Sequence, residues 1–131
     1  MKLNDVLQSA DWKSEKHVPV IETVDSAKAG EMVTVTVSVG KEIAHPNTTE
    51  HHIRWIQLYF KPEGVKAPYE VAQFEFNAHG EAVEGPNQGP VFTEPFGTAH
   101  IKLQKSGTFI AVAYCNIHGI WESSKEVRIE G

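Results

Sequence analysis

A chain of 131 residues, 40 % hydrophobic and 22 % charged, can bury one self-sufficient core and is too apolar for wholesale disorder. Its net charge of −5 argues against a general binder of nucleic acid or of anionic membranes. One cysteine, Cys115, excludes an intrachain disulfide and any multi-cysteine zinc or iron–sulfur site within one chain.

The opening MKLNDVLQSADWK has charges throughout and no apolar run of signal-peptide length, and no later stretch approaches the roughly 20 apolar residues of a membrane span. A cytoplasmic protein is the expectation. Asn4 or Asp5 can cap a short helical turn over Val6 to Ala10. Strands come after it. Val18 to Glu22 is the first, and Met32 to Val39 is the clearest. In it Val33, Val35, Val37 and Val39 alternate with Thr34, Thr36 and Ser38, so β-branched apolar groups share one face. Ile53 to Phe60, Tyr69 to Asn77, Pro90 to Thr93, Ala99 to Leu103, Thr108 to Tyr114 and Glu126 to Ile129 complete the series. Turn signals at Pro62-Glu63-Gly64, His79-Gly80, Gly85-Pro86-Asn87 and Ser106-Gly107 separate them. The pattern predicts an all-β fold, an immunoglobulin-like antiparallel β-sandwich of seven or eight strands with a short N-terminal helical turn, in a single domain over residues 1–131. A sandwich says nothing about function by itself, so the chemistry must come from its loops.

Seven histidines against one cysteine are the unusual feature, and three clusters hold five of them. Glu15-Lys16-His17 precedes the first strand. In an extended segment Glu15 and His17 share a face and Lys16 points away. His45-Pro46-Asn47-Thr48-Thr49-Glu50-His51-His52 is a polar loop between two strong strands. Its Pro46 biases His45 toward an extended backbone. His51 and His52 enter a strand and so point to opposite sides, which leaves one of them as a ligand candidate. Cys115-Asn116-Ile117-His118 ends the apolar strand through Tyr114, and a Cys-x-x-His turn lets both side chains reach one metal while backbone N–H groups point at the sulfur. Each cluster alone also fits a plain structural part: a charge run, a solvated loop, a buried inert cysteine beside a surface histidine. Together, four imidazoles and one thiolate make a square-pyramidal donor set with an open sixth position, which suits iron better than zinc's four tetrahedral ligands.

The strings EKHVPVIE (Glu15 to Glu22), HPNTTEHHIRW (His45 to Trp55), EFNAHGE (Glu75 to Glu81) and YCNIHGIWE (Tyr114 to Glu122) resemble the superoxide reductases of the neelaredoxin and desulfoferrodoxin family over nearly the whole chain. The resemblance implies an enzyme that reduces superoxide by one electron to hydrogen peroxide at one iron per chain. It implies equatorial ligation by His17, His45, His51 and His118 with Cys115 axial, and Glu15 as a sixth ligand in the oxidised state only. It sets Lys16 beside the open position and backbone contacts from Asn116 and Ile117 on the sulfur. It further implies a rubredoxin-like electron donor and a homotetramer. Two departures stand out. No four-cysteine iron domain precedes this one, so the one-iron form is expected, and Ala44 stands where relatives often carry proline.

Two other readings compete. A cupredoxin-like electron carrier needs an axial ligand downstream of its cysteine, usually Met, yet Met1 and Met32 lie far upstream of Cys115. A β-sandwich interaction module with a structural zinc would be colourless. Among the remaining histidines, His52 is expected to face away from His51, His79 to be a turn residue, and His100 to be exposed. Trp12, Trp55 and Trp121 are expected in the core or at an interface.

Overall fold

The computed structural model describes residues 1–131. A four-residue helix α1 (Leu3–Val6) comes first, closed by the Asp5 carboxylate accepting the Lys2 backbone N–H at 2.8 Å. It lies ahead of the expected turn over Val6 to Ala10, because Asp5 acts within the helix as its third residue instead of capping a later turn. Eight strands come next: β1 (Val20–Glu22), β2 (Ser26–Lys28), β3 (Met32–Ser38), β4 (Ile53–Pro62), β5 (Tyr69–Glu75), β6 (Phe96–Lys102), β7 (Gly107–Cys115) and β8 (Gly119–Glu130). They form a three-stranded sheet in the order β1-β3-β6 and a five-stranded sheet in the order β2-β8-β7-β4-β5. No helix is long and apolar enough to cross a membrane.

The alternation in β3 does what its chemistry requires. Val33, Val35 and Val37 are buried between the sheets, while Thr34 and Thr36 face outward and bond across the strand pair to His100 and Thr98. Opposite them, β4 contributes Ile56, Leu58 and Phe60, and β7 contributes Phe109, Ala111 and Ala113. Each large apolar side chain so buried stabilises the fold by about 1.5–3 kcal/mol. The inward row of β7 ends at Cys115, which is wholly buried and opposite Ile53, the first residue of β4. The core itself thus carries the sulfur to one end of the sandwich.

Three elements differ from the sequence pattern. β2 pairs with β8 in parallel, the one parallel pairing among the strands, and its three residues carry no periodic signal. Pro90 to Thr93 forms no strand. Only the isolated bridge between His79 and Phe92 marks it, because Val91 and Phe92 are exposed and have no apolar face to bury. β8 starts at Gly119, well before Glu126, because nine consecutive residues pair with β7.

Candidate metal centre

Three connections meet at the end of the sandwich where β7 stops: the segment before β1, the loop from β3 to β4, and the turn from β7 to β8. The ligand atoms of His17, His45, His51 and Cys115 all lie within 4.8 Å of one another. His118 stands outside that mutually close set but borders it. Its Nδ1 is 3.1 Å from His17 Nε2, 3.2 Å from His51 Nε2 and 3.8 Å from Cys115 Sγ.

The four rings are arranged as the corners of a quadrilateral. Taken in the order His17, His45, His51, His118, neighbouring centroids are 4.9, 4.8, 5.0 and 4.7 Å apart, and the diagonal from His17 to His51 is 6.4 Å. His17 and Cys115 are buried and His45 nearly so, whereas His118 is exposed, so the cluster opens to solvent on one side.

Hydrogen bonds fix which nitrogen faces inward. His45 Nδ1–H donates to its neighbour's carbonyl, Pro46 O, at 2.7 Å, and its Nε2 is buried with no partner. A buried imidazole nitrogen with no partner is costly unless something else satisfies it. His17 Nδ1–H donates to Glu15 Oε1 at 2.6 Å, and the His17 backbone N–H donates to the same oxygen at 2.7 Å. This is the carboxylate–histidine pairing that fixes the tautomer and orientation of a metal ligand. Burial pushes the His45 imidazole down to about 4, helped by the charges of His17, His51 and Lys16 and opposed by the Pro46 carbonyl. His51 is lowered too, by burial first and then by His118, His17 and Lys16. Neutral imidazoles with inward lone pairs are what ligation needs. For Glu15 burial works in the opposite direction, but the His17 hydrogen bonds and Lys16 outweigh it and hold the carboxyl below its usual value.

The backbone N–H of His118 points at Cys115 Sγ at 3.4 Å. That donor differs from the pair expected, Asn116 and Ile117. The Asn116 N–H is committed to His52 O at 3.2 Å, because it continues the pairing between β4 and β7 past Cys115. Glu15 is in contact with the far nitrogen of His17, not among the inward-facing donors. Lys16 is half-buried, and its charge reaches both His45 and His51.

Gly40 allows the β3–β4 loop its path: its φ is +93°, and a Cβ there would sit 2.9 Å from His45 N. His52 does face away from His51. It is buried and stacked on His79 with centroids 3.4 Å apart, and it bonds Thr48 O and Arg54. His79 is thus a deeply buried residue and not merely a turn residue, since its ring fills the space beneath the loop. His100 is exposed, as expected. All three tryptophans are half-buried. Trp121 stacks on His17 at 5.0 Å and donates to His118 O at 3.3 Å, and Gln8 donates to the same carbonyl at 2.8 Å. Trp121 and Gln8 were not marked by the sequence; the only hint was the position of Trp121 three residues after His118. Both methionines are strongly exposed, so neither completes a blue-copper site.

Comparison with known proteins gives a consistent result. The desulfoferrodoxin family model matches residues 9–124. Neelaredoxin of Megalodesulfovibrio gigas is 59 % identical over 130 residues, covering 99 % of this chain and 100 % of that protein. A superoxide reductase of Pyrococcus furiosus is 55 % identical over 128 residues, covering 98 % and 99 %. Among solved structures, the reduced superoxide reductase (neelaredoxin) of Archaeoglobus fulgidus superposes with a TM-score of 0.87 at 55 % identity, covering 94 % of this chain and 98 % of that one. A superoxide reductase in the oxidised state gives 0.88 at 53 % identity, covering 97 % and 100 %.

Proposed function

The chain belongs to the desulfoferrodoxin family, and on that footing we propose that it is a superoxide reductase, a single domain over residues 1–131 that holds one iron through His17, His45, His51, His118 and Cys115. The observation that carries this reading is the orphaned, buried Nε2 of His45 inside a four-cornered ring of imidazoles with a buried cysteine beside it. Five nitrogen and sulfur donors exceed the four that zinc ordinarily takes, and mixed imidazole and thiolate ligation suits iron.

Bound there, iron supplies the one electron that superoxide accepts, and two protons complete hydrogen peroxide. The chain's own residues do the rest. The carboxylate of Glu15 holds the His17 ring with Nε2 inward, and the Pro46 carbonyl does the same for His45. The His118 N–H donates toward the sulfur, a contact that would temper the electron donation of a metal-bound sulfur there. Exposure on the His118 side leaves a route for a small anion and for water. Lys16, whose charge reaches the cluster, draws superoxide in against the negative charge of the whole protein. Glu15, held beside the cluster by its bonds to His17, would be the carboxylate available to an oxidised iron bound there. A rubredoxin-like electron donor and a homotetrameric assembly are inferred from the family resemblance.

The test is metal analysis with a visible spectrum and a superoxide assay. Iron, a thiolate charge-transfer band lost in Cys115→Ser, and superoxide consumption without oxygen release are expected. A colourless zinc protein or an intensely blue copper protein overturns the proposal.

A further inference from the structure

The four imidazoles are held in two different ways. His17 and His45 are fixed through the far nitrogen of the ring, by Glu15 and by the Pro46 carbonyl. His51 has no such bond at Nδ1. Its Nε2 meets only His118 Nδ1, and the bonds that hold it are bonds to its backbone and to that of its neighbours.

Thr48 closes a turn on His51 itself: its Oγ1 accepts from His51 N–H at 3.0 Å and donates to His51 O at 3.3 Å, while its N–H donates to the same carbonyl at 2.9 Å. A second side chain reaches in from the turn between β7 and β8. Asn116 Nδ2 donates to Glu50 O at 2.9 Å, and Asn116 Oδ1 accepts from His52 N at 2.9 Å. Glu50 O belongs to the peptide group before His51, and His52 N to the peptide group after it. One amide therefore grips both peptide planes that define φ and ψ of His51, and the Asn116 N–H adds a third bond to His52 O at 3.2 Å. Asn116 comes directly after Cys115, so the same residue ties the histidine's backbone to the cysteine across 64 to 66 residues of sequence. Only a side chain with one donor and one acceptor at this reach makes both bonds.

We propose that Asn116 is a positioning residue for His51: together with the local Thr48 turn, its amide fixes the backbone angles that aim the His51 imidazole at the metal, in place of the ring-nitrogen bond that His17 and His45 have. The inference rests on the reading of the cluster as a metal centre. Losing a partner that orients a metal ligand weakens binding about 10- to 100-fold.

The experiment uses the metal-free full chain, titrated with Co(II) alone and followed by the thiolate-to-cobalt and ligand-field absorption bands, with thermal melting of the metal-free protein in parallel. Asn116→Ala is expected to weaken Co(II) binding about tenfold or more and to shift the ligand-field bands, while the metal-free melting temperature changes little. Asn116→Asp keeps the acceptor for His52 N but loses the donor to Glu50 O, and is expected to weaken binding and shift the bands as well; it decides the matter where the alanine variant does not fold. Unchanged affinity and bands in the folded variants overturn the inference, as does a lowered melting temperature with unchanged affinity. Failure of the unmutated protein to bind Co(II) instead overturns the metal-centre reading itself.

Discussion

Gly97 and Phe74 meet where the two sheets converge on the site. Gly97 is buried in β6 opposite Val37, two residues from Pro95, whose carbonyl accepts the Val39 N–H at the start of the histidine loop. Phe74 is in β5 and pairs with Ile56, three residues into β4 from Ile53, which lies beside Cys115. A methyl group at Gly97 would lie 2.6 Å from Phe74 Cε1 and closer still to Cδ1 and Cγ. Carbon atoms rest about 3.5–4.0 Å apart, so Gly97→Ala must part the sheets by roughly 1 Å or turn the ring out of its seat. Overpacking of this kind costs about 1–3 kcal/mol. With an unfolding entropy of about 2.1 cal/mol/K per residue, 131 residues give about 275 cal/mol/K, and the melting temperature falls by about 4–11 °C. Scanning calorimetry of the metal-free protein measures it. Phe74→Leu in the Gly97→Ala background should recover part of the loss, with a coupling of at least about 0.5 kcal/mol between the two sites. A Gly97→Ala protein melting within about 1 °C of the parent would refute the reasoning, since a clash of that depth has no strain-free solution.

Lys16→Ala is expected to slow superoxide capture and flatten its dependence on salt while metal content stays constant. A cation about 7 Å from the anion is worth about 2.4 kcal/mol at an effective dielectric of 20, and salt screens distant surface charges first. Pulse radiolysis at two ionic strengths checks this; unchanged rates remove the steering role. Burial holds His79 below its ordinary value of 6.5, with His52 adding to the effect and Glu81 opposing it. The unfolded chain therefore takes up that proton more readily, so stability is complete above pH 6.5 and is lost as pH falls through the lowered folded value. Urea unfolding of the metal-free protein between pH 7 and pH 5 should show this loss, and His79→Phe should reduce the slope.

The strong strands were legible because burial imposes a period of two. Val33, Val35 and Val37, and likewise Phe109, Ala111 and Ala113, alternate in sequence as they do in space. β2 was not legible, since three residues held by backbone pairing to β8 need no particular side chains. The first half of β8, Gly119 to Lys125, has no clean alternation because few of its residues face the core. In the site, residue type and local grouping picked out the histidines and Cys115, because the chemistry depends on those atoms. The supporting groups left no such mark. Asn116 was marked only for a backbone contact to the sulfur, whereas its side chain, like that of Gln8, acts on backbone groups of a distant segment, a relation with no local pattern. His79 looked like part of a turn because Gly80, with φ of +76°, does make one, yet its ring packs inward against His52.

His17 and His118 face each other across 101 residues of chain, and every strand of the fold but β8 is threaded between them. Pairing of β4 with β7 brings the histidine loop and the cysteine turn together within one sheet. The His17 segment, which leads into the other sheet, joins them only when the two sheets pack. The complete donor set is therefore a property of the folded chain and not of any single segment or sheet.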